Sequence, residues 1–158
     1  MVLTAVPPTP TPYEWLTLEL TNVQTDETFT LADFAGKTVV IEMMAVWCPL
    51  CKRQQTQLKV ALEEFADDEV VAVCIDVDPR ETADLLRQYA RDHEFTWYYA
   101  NSSLALATSF ESTFGPQILS PTSTPILIIS PDGRATLSPY GIKDADTLIE
   151  LIKAGEDS

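Results

Sequence analysis

The chain has 158 residues, and its 10 Lys and Arg residues against 24 Asp and Glu residues give a formal net charge of −14. With 46% hydrophobic residues it is too apolar for a disordered acidic tail, and its length suits one domain with one core. The negative charge argues against binding to nucleic acid or anionic lipid, because both need clustered Lys and Arg. No apolar run approaches the roughly 18 residues that a membrane span needs.

The N-terminus is rich in proline and threonine. Residues 4–12 contain four prolines and three threonines. Such a tract donates too few backbone hydrogen bonds for regular structure, so we predict a flexible tail over residues 1–13 and one domain over 14–158. Two interpretations stay open, a frayed end and a spacer from a membrane anchor. The start lacks the basic and apolar regions of a signal peptide.

After this tail, the hydrophobic pattern predicts short strands and then an alternation of helices with buried strands. Leu16, Leu18 and Leu20 alternate, as do Phe29 and Leu31, which indicates an N-terminal β-hairpin extension. Further strands are predicted at 38–46, 70–78, 96–100, 125–130 and 134–140. Helices are predicted from apolar stripes at Leu58–Phe65, Leu85–Ala90, Leu106–Phe114 and Ala145–Ile152, the last ending at Gly155. This order predicts an α/β fold with a central mixed β-sheet flanked by helices.

Two cysteines stand three residues apart where a buried strand becomes a helix. Cys48 falls at the N-cap or first turn, where free N–H groups and the helix dipole favour the thiolate, the nucleophile of disulfide exchange. Cys51 lies one turn later and points toward the core. The spacing therefore predicts that Cys48 is the accessible attacking sulfur and Cys51 the resolving one. Lys52 and Arg53 add positive charge that further favours a thiolate.

A CxxC pair can also belong to a zinc site or to a purely structural disulfide, and the sequence disfavours both. A structural zinc site needs four ligands, but there is no second CxxC, Cys74 is mid-strand and His93 is the only histidine. A structural disulfide across four residues closes too small a loop to stabilise much. We therefore expect no metal or organic cofactor, and we expect Cys74 to be a core residue.

The segment from Trp47 to Lys52, Trp-Cys-Pro-Leu-Cys-Lys after a hydrophobic strand, resembles the thioredoxin superfamily. The resemblance covers about residues 14–155 and implies a thioredoxin-like fold. It also implies that Glu42, six residues before Cys48, is a buried proton acceptor for Cys51, although a solvent-facing or salt-bridged Glu42 stays open. A lone carboxylate in a buried strand has a raised pKa and can relay a proton near neutral pH. Trp47 and Pro49 are assigned to the substrate-docking surface.

A second part of the resemblance lies at Ser123-Thr124-Pro125. Thioredoxin-like proteins carry a cis-proline facing the cysteine pair, and Pro125 begins a predicted strand at the matching place. The resemblance implies that Thr124 and Pro125 bind substrate, with the backbone of Thr124 pairing with an extended segment. Pro121 is the rival proline.

The sequence further resembles the TlpA/ResA-type and peroxiredoxin-like branch, on Leu31–Val40 and Ser130–Arg134. A peroxiredoxin would need threonine where Ala45 stands, which disfavours peroxidase chemistry. Copper-chaperone relatives would need a longer cysteine spacing and a well-placed histidine. TlpA-type members are mostly extracytoplasmic reductants, many of them tethered to a membrane, which implies an extracytoplasmic location.

These observations predict a monomeric thiol–disulfide oxidoreductase that reduces protein disulfides and is recycled by a dithiol electron donor. The direction is open, because the Pro-Leu pair between Cys48 and Cys51 matches neither a strong reductant nor a strong oxidant. The competing hypothesis is a non-catalytic thioredoxin-like module that binds a partner or Cu(I) through the two cysteines.

Overall fold

A five-stranded mixed β-sheet organises the chain in the computed structural model, which describes residues 13–157. Residues 1–12 of the tail predicted over residues 1–13 lie outside this range. The strands are β1 (Leu20–Thr21), β2 (Thr28–Phe29), β3 (Thr38–Met44), β4 (Val70–Asp76), β5 (Tyr98–Asn101), β6 (Ile126–Ile129) and β7 (Ala135–Leu137). The helices are α1 (Pro49–Leu62), α2 (Ala83–Asp92), α3 (Leu104–Phe114) and α4 (Ala145–Glu156). Short 3₁₀ turns cover Glu14–Leu16, Leu31–Phe34, Pro116–Leu119 and Pro121–Ser123.

The sheet has the order β5-β4-β3-β6-β7, with β3, β4 and β5 parallel and β6 and β7 antiparallel to their neighbours. Every residue of β3 and β4 is buried, as expected for strands covered on both faces. This arrangement confirms the predicted α/β class with a mixed sheet and flanking helices. Because β3 is the central strand and four residues separate its end from the start of α1, the first turn of α1 follows the carboxyl end of the central strand.

The N-terminal hairpin is confirmed but is shorter than predicted. β1 and β2 pair antiparallel through Leu20 and Phe29, with two residues in each strand. Leu31 instead starts a 3₁₀ turn, because Thr30 and Asp33 exchange side-chain and backbone hydrogen bonds in a capping box. Tyr13, which the predicted boundary places in the tail, stacks on the buried Trp15 with ring centroids 4.8 Å apart.

Alternate residues of β3 face opposite sides of the sheet. Val39, Ile41 and Met43 join the core that includes Trp15 and Phe110. On the other face, the side chains of β3 point toward α1. One cluster on that side contains Val40, Leu58 and Leu148, and another contains Met44, Cys48 and Cys51. The cysteine pair is therefore part of the core between the sheet and the helices.

The last helix does not end at Gly155, as the sequence analysis predicted, but continues to Glu156. A Cβ atom at Gly155 would lie 2.7 Å from Cγ2 of Ile128 on β6. The glycine is therefore required by the close approach of α4 to the sheet rather than by helix termination. This close approach overrides the usual association of glycine with a helix end.

We predict that Gly155→Val lowers the free energy of unfolding by about 2 kcal/mol, because the new side chain overpacks the contact between α4 and β6. Urea unfolding followed by circular dichroism measures this loss. Ala154→Val places the same side chain at the adjacent exposed position and should cost only about 0.5 kcal/mol, the helix-propensity difference. Equal losses in the two variants would contradict the close-packing explanation.

Candidate active site

The two cysteines occupy the first turn of α1, as predicted. Cys48 is the N-cap residue with extended backbone (φ −90°, ψ 107°), and Pro49 is the first helical residue. The backbone N–H of Cys51 donates to Sγ of Cys48 at 3.2 Å. Both cysteines are free thiols. The sulfur of Cys48 therefore takes the place of the side-chain oxygen that usually caps a helix.

Both thiols are buried. Cys48 is 1% exposed and Cys51 is 0% exposed, so the prediction of an accessible attacking sulfur is wrong for this conformation. The physical reason is that Val46 and Leu50, on either side of Cys48, pack against the cluster that contains both sulfurs. Trp47 and Pro49, the neighbours of Cys48 in the chain, are exposed, and 52% of the surface of Trp47 is accessible.

The surroundings of Cys51 hold its proton. The thiol donates to the carbonyl oxygen of Pro121 at 3.3 Å. Burial raises the pKa of this thiol far above its usual range, and the hydrogen bond with Cys48 and the charge of Glu42 raise it further. Cys51 is therefore a protonated group that needs a base before it can act as a nucleophile.

Glu42 lies on β3 beneath α1 and is fully buried, so the solvent-facing alternative is wrong. The side-chain amide of Gln55 donates to its Oε2 atom. Oε1 of Gln55 in turn accepts from the hydroxyl groups of Tyr89 at 3.1 Å and Tyr99 at 2.7 Å. Burial raises the pKa of Glu42 well above its usual range, and the Gln55 hydrogen bond and the Lys143 charge oppose part of this rise. Among residues 13–157, its Oε1 atom has no hydrogen-bond partner.

Thr124 and Pro125 are placed differently from the prediction. The described chain contains no cis peptide bond, so the expected cis bond before Pro125 is wrong, and Thr124 instead has left-handed backbone (φ 44°, ψ 60°). Both residues are buried. The N–H of Thr124 donates to Pro121 at 2.9 Å, and its carbonyl oxygen accepts from Lys143 at 3.0 Å. The backbone of Thr124 is thus already paired within the protein.

Sequence reasoning missed three residues near the pair, Gln54, Gln55 and Lys143, and named Pro121 only as the rival of Pro125. Gln54 and Gln55 follow Cys51 by three and four positions and precede Leu58 by four and three, so they continue the buried stripe of α1. Two glutamines on a buried helical face signal a polar partner in the sheet. The contacts of Pro121 and Lys143 join distant parts of the chain and leave no local pattern.

The loop after β4 holds the segment that precedes the cysteines. The indole N–H of Trp47 donates to Asp78 at 2.8 Å, and Arg80 forms an ion pair with the same carboxylate. Arg80 holds the pKa of Asp78 well below its usual range. The side chain of Glu81 accepts from the backbone N–H of Val46 at 2.7 Å. These hydrogen bonds show that the loop after β4 orients Trp47.

Asp76 ends β4 beneath this loop and is 1% exposed. Its Oδ1 atom accepts from the N–H of Asp78 at 3.0 Å, whereas Oδ2 has no hydrogen-bond partner within the described range. Burial raises the pKa of Asp76 to about 8, and the neighbouring Glu81 carboxyl contributes to the rise. The side chain is therefore largely protonated at neutral pH.

The order of the strands and the two thiols at the start of α1 define a thioredoxin-like fold, and solved structures bear this out. A thiol:disulfide interchange protein of Chlorobium tepidum aligns over 87% of this chain and 92% of its own, with 14% identity and a TM-score of 0.69. A secreted disulfide oxidoreductase of Mycobacterium tuberculosis, homologous to E. coli DsbE, aligns over 89% and 98%, with 18% identity and a TM-score of 0.69. The exposed lipoprotein thioredoxin Etrx1 of Streptococcus pneumoniae aligns over 87% and 98%, with 18% identity and a TM-score of 0.67.

The family follows from the sequence. A model of the AhpC/TSA family matches residues 14–138, and the chain belongs to this family within the thioredoxin superfamily. Its fold class is therefore thioredoxin-like. A search of the curated proteins finds no sequence match to the chain.

Neither a metal-binding cluster nor a membrane-spanning helix is found over residues 13–157. In that range no group of three or more His, Cys, Asp and Glu side chains is arranged to hold a metal ion. No helix of the same residues has the length and apolar character needed to cross a membrane.

We predict that Asp76→Asn removes part of the pH dependence of stability between about pH 4 and pH 8. The pKa of Asp76 is raised on folding, so the folded state binds more protons and wild-type stability falls as pH rises through this window. The variant should show a slope smaller by up to about 1.4 kcal/mol per pH unit. Urea unfolding at a series of pH values measures it, with the exposed Asp67→Asn as the control for lost charge. Identical slopes in wild type and Asp76→Asn would disprove the assignment.

Proposed function

We propose that the protein is a thiol–disulfide oxidoreductase that reduces disulfide bonds in protein substrates through Cys48 and Cys51. The observation that carries the proposal is the pair of free thiols in the first turn of α1, where the Cys51 N–H donates to Sγ of Cys48. The Cys48 sulfur accepts a backbone hydrogen bond at the N-terminus of α1, whereas burial raises the pKa of the Cys51 thiol. The two sulfurs thus differ in the way that a nucleophile and a resolving thiol must differ.

The reaction has two exchange steps. The Cys48 thiolate attacks one sulfur of the substrate disulfide, which breaks the S–S bond, forms a mixed disulfide and releases the other sulfur as a thiolate. Cys51 then loses its proton to the Glu42 carboxylate and attacks Sγ of Cys48. This step releases the second substrate thiolate and leaves a Cys48–Cys51 disulfide. A dithiol donor returns the pair to the reduced state by the same chemistry.

The substrate-facing residues are Trp47, Pro49 and Pro121. Trp47 is exposed beside Cys48, and Pro49 is exposed at the first position of α1. Pro121 is partly exposed, and its carbonyl oxygen contacts the Cys51 thiol. Thr124 and Pro125 support the loop that contains Pro121 and do not face the substrate. Both residues are buried, and the backbone of Thr124 is hydrogen-bonded within the protein.

Opening of the segment around Cys48 is part of the proposed reaction, because the sulfur is 1% exposed in this conformation. The segment is held by side-chain hydrogen bonds to Asp78 and Glu81. A substrate that packs on Trp47 compensates for the loss of these bonds.

We further propose a TlpA-type role outside the cytoplasm, as a monomer. The support is the thioredoxin-like fold shared with a protein described as secreted and with one described as an exposed lipoprotein, together with the proline-rich N-terminal sequence. The proposed partners are a disulfide-containing protein and a membrane or soluble dithiol donor.

We predict that Cys48→Ser lowers the rate of insulin reduction with dithiothreitol at least about a hundredfold, to the uncatalysed background. Cys74→Ala is the matched control, because it removes a buried thiol of β4 outside the proposed reaction and should leave the rate near that of wild type. Turbidity of the precipitating insulin B chain measures the rate. A wild-type protein that is inactive but takes up one Cu(I) per chain would support the non-catalytic alternative instead.

The direction of electron flow is tested by the reduction potential of the Cys48/Cys51 pair. For a reductant we expect a value of about −270 mV or lower, whereas a strong oxidant lies near about −120 mV. Equilibration with dithiothreitol or glutathione buffers, followed by alkylation and mass spectrometry, measures the oxidised fraction. A value close to the oxidant limit would reverse the proposed direction without changing the residues involved.

A further inference from the structure

Lys143 lies in the loop before α4 and is only 7% exposed. Its Nζ atom donates to the carbonyl oxygens of Thr124, at 3.0 Å, and of Gly141. Its backbone is paired with the side chain of Gln54 through two hydrogen bonds of 2.8 Å, one in each direction. A buried ammonium group is costly unless it is hydrogen-bonded, so this arrangement of partners is built around Lys143.

These bonds join the two sides of the buried cysteine. Gln54 lies one turn after Cys51 on α1 and is fully buried. On the other side, Thr124 donates to the carbonyl oxygen of Pro121, and this oxygen also accepts the Cys51 thiol. Lys143 therefore connects α1 to the loop whose carbonyl oxygen accepts the Cys51 thiol.

One of the carbonyl oxygens that accept from Lys143 belongs to Thr124, two residues before Ile126, and Ile126 is the register partner of Glu42 in the sheet. Burial lowers the pKa of Lys143 to about 8, and the charge of Glu42 opposes the fall. In return, the Lys143 ammonium group opposes the rise in the pKa of Glu42 that burial causes. Each group thus favours the charged form of the other.

Lys143 differs in charge from the other titratable groups around Glu42. The thiols and phenols that interact with Glu42 are acids whose pKa values burial raises, so they are uncharged at neutral pH. In the described part of the chain, Lys143 is the cation among these groups. The full set is Cys51 on α1, Cys74 on β4, Tyr89 on α2, Tyr99 on β5 and Lys143 before α4.

We infer that Lys143 is a positioning residue of the redox site, which favours the ionised form of Glu42 and fixes the Thr124 loop against Cys51. The inference rests on the proposed function, because it concerns the step in which Glu42 accepts the Cys51 proton. In that step the proton leaves Cys51, the carboxylate becomes a carboxylic acid, and the new thiolate displaces the leaving thiolate from Cys48. Lys143 exchanges no atom or electron in this reaction.

The test uses 5,5′-dithiobis(2-nitrobenzoate), which needs no knowledge of the natural substrate. Cys48 attacks the reagent and releases one thionitrobenzoate, and Cys51 then releases the second, so the second phase measures the Cys51 step. In wild type we expect this phase to accelerate with pH as Glu42 ionises. In Lys143→Met the midpoint should move up by about one pH unit, which slows the second phase about tenfold at neutral pH.

Two controls separate this effect from others. Lys153→Met removes an exposed lysine of α4, so it matches the change in net charge and should not move the midpoint. Glu42→Gln should slow the second phase, and adding Lys143→Met to it should produce no further shift. A midpoint in Lys143→Met equal to that of Lys153→Met would overturn the inference, as would a shift that persists without Glu42.

Further measurements cover the case in which Lys143→Met does not fold. Lys143→Gln keeps a donor for the two carbonyl oxygens but lacks the charge, and it should show the same shift. In wild-type protein with ¹³C-labelled glutamate carboxyls, the Glu42 resonance should respond in the pH range where Lys143 titrates. If the Glu42 carboxyl resonance of the wild-type protein does not change in the pH range where Lys143 titrates, the inference is overturned without any variant.

The outcomes also separate this inference from the proposed function. Wild-type protein that reduces insulin, combined with an unshifted Lys143→Met, refutes the role of Lys143 and leaves the oxidoreductase in place. Wild-type protein that fails to reduce insulin, combined with a shifted second phase, refutes the reductase function and leaves the coupling of Lys143 to Glu42.

Discussion

The arrangement of this protein depends on placing one carboxyl group inside a sheet. Glu42 is fully buried in the central strand, where an unpaired charge is prohibitively costly. Its partner on α1 is Gln55, whose own carbonyl oxygen is satisfied by two tyrosine hydroxyls. Since Gln55 must lie over Glu42, the rotation and height of α1 on the sheet are fixed. The same constraint then fixes where the first turn of α1, with Cys48 and Cys51, lies relative to the carboxyl group.

The two cysteines differ in their surroundings, and this difference suits them to different steps of the proposed reaction. Burial raises the pKa values of both Cys51 and Glu42 above their usual ranges. A site of this kind cannot release a Cys51 thiolate by simple ionisation, and proton transfer must accompany sulfur exchange. Cys48 differs because its sulfur accepts a hydrogen bond from the backbone N–H of Cys51 at the start of α1. The difference between the two cysteines therefore comes from their positions, with Cys48 at the N-cap of α1 and Cys51 one helical turn later.

Local patterns predicted the strands, the helices and the cysteine pair well, because period and capping are properties of neighbouring residues. The helix beginning at Pro49 and the burial of Glu42 are examples. Features that depend on contacts between distant segments were not predictable. Gly155 lies within α4 rather than at its end, because α4 packs closely against Ile128, which is 27 positions earlier in the chain. Lys143 faces the site because of the path of two loops. A cis peptide bond before Pro125 was inferred from the resemblance. The structure has no cis bond there, and Thr124 instead has left-handed backbone.

Val46 and Trp47 lie next to the buried Cys48 in the chain, so the contacts that hold these two residues affect how a substrate reaches the Cys48 sulfur. The backbone around Val46 and Trp47 follows β3 but does not belong to the sheet ladder, which ends at Met44. Its contacts to the loop after β4 are two side-chain hydrogen bonds, from Val46 to Glu81 and from Trp47 to Asp78. Each such bond contributes about 1 kcal/mol net, and the packing of Val46 against the cluster with both cysteines adds to the stability of the segment. The hydrogen bonds that hold Val46 and Trp47 run to the loop after β4, whereas the Cys51 thiol bonds to Pro121, so different parts of the structure hold the segment before Cys48 and the Cys51 thiol.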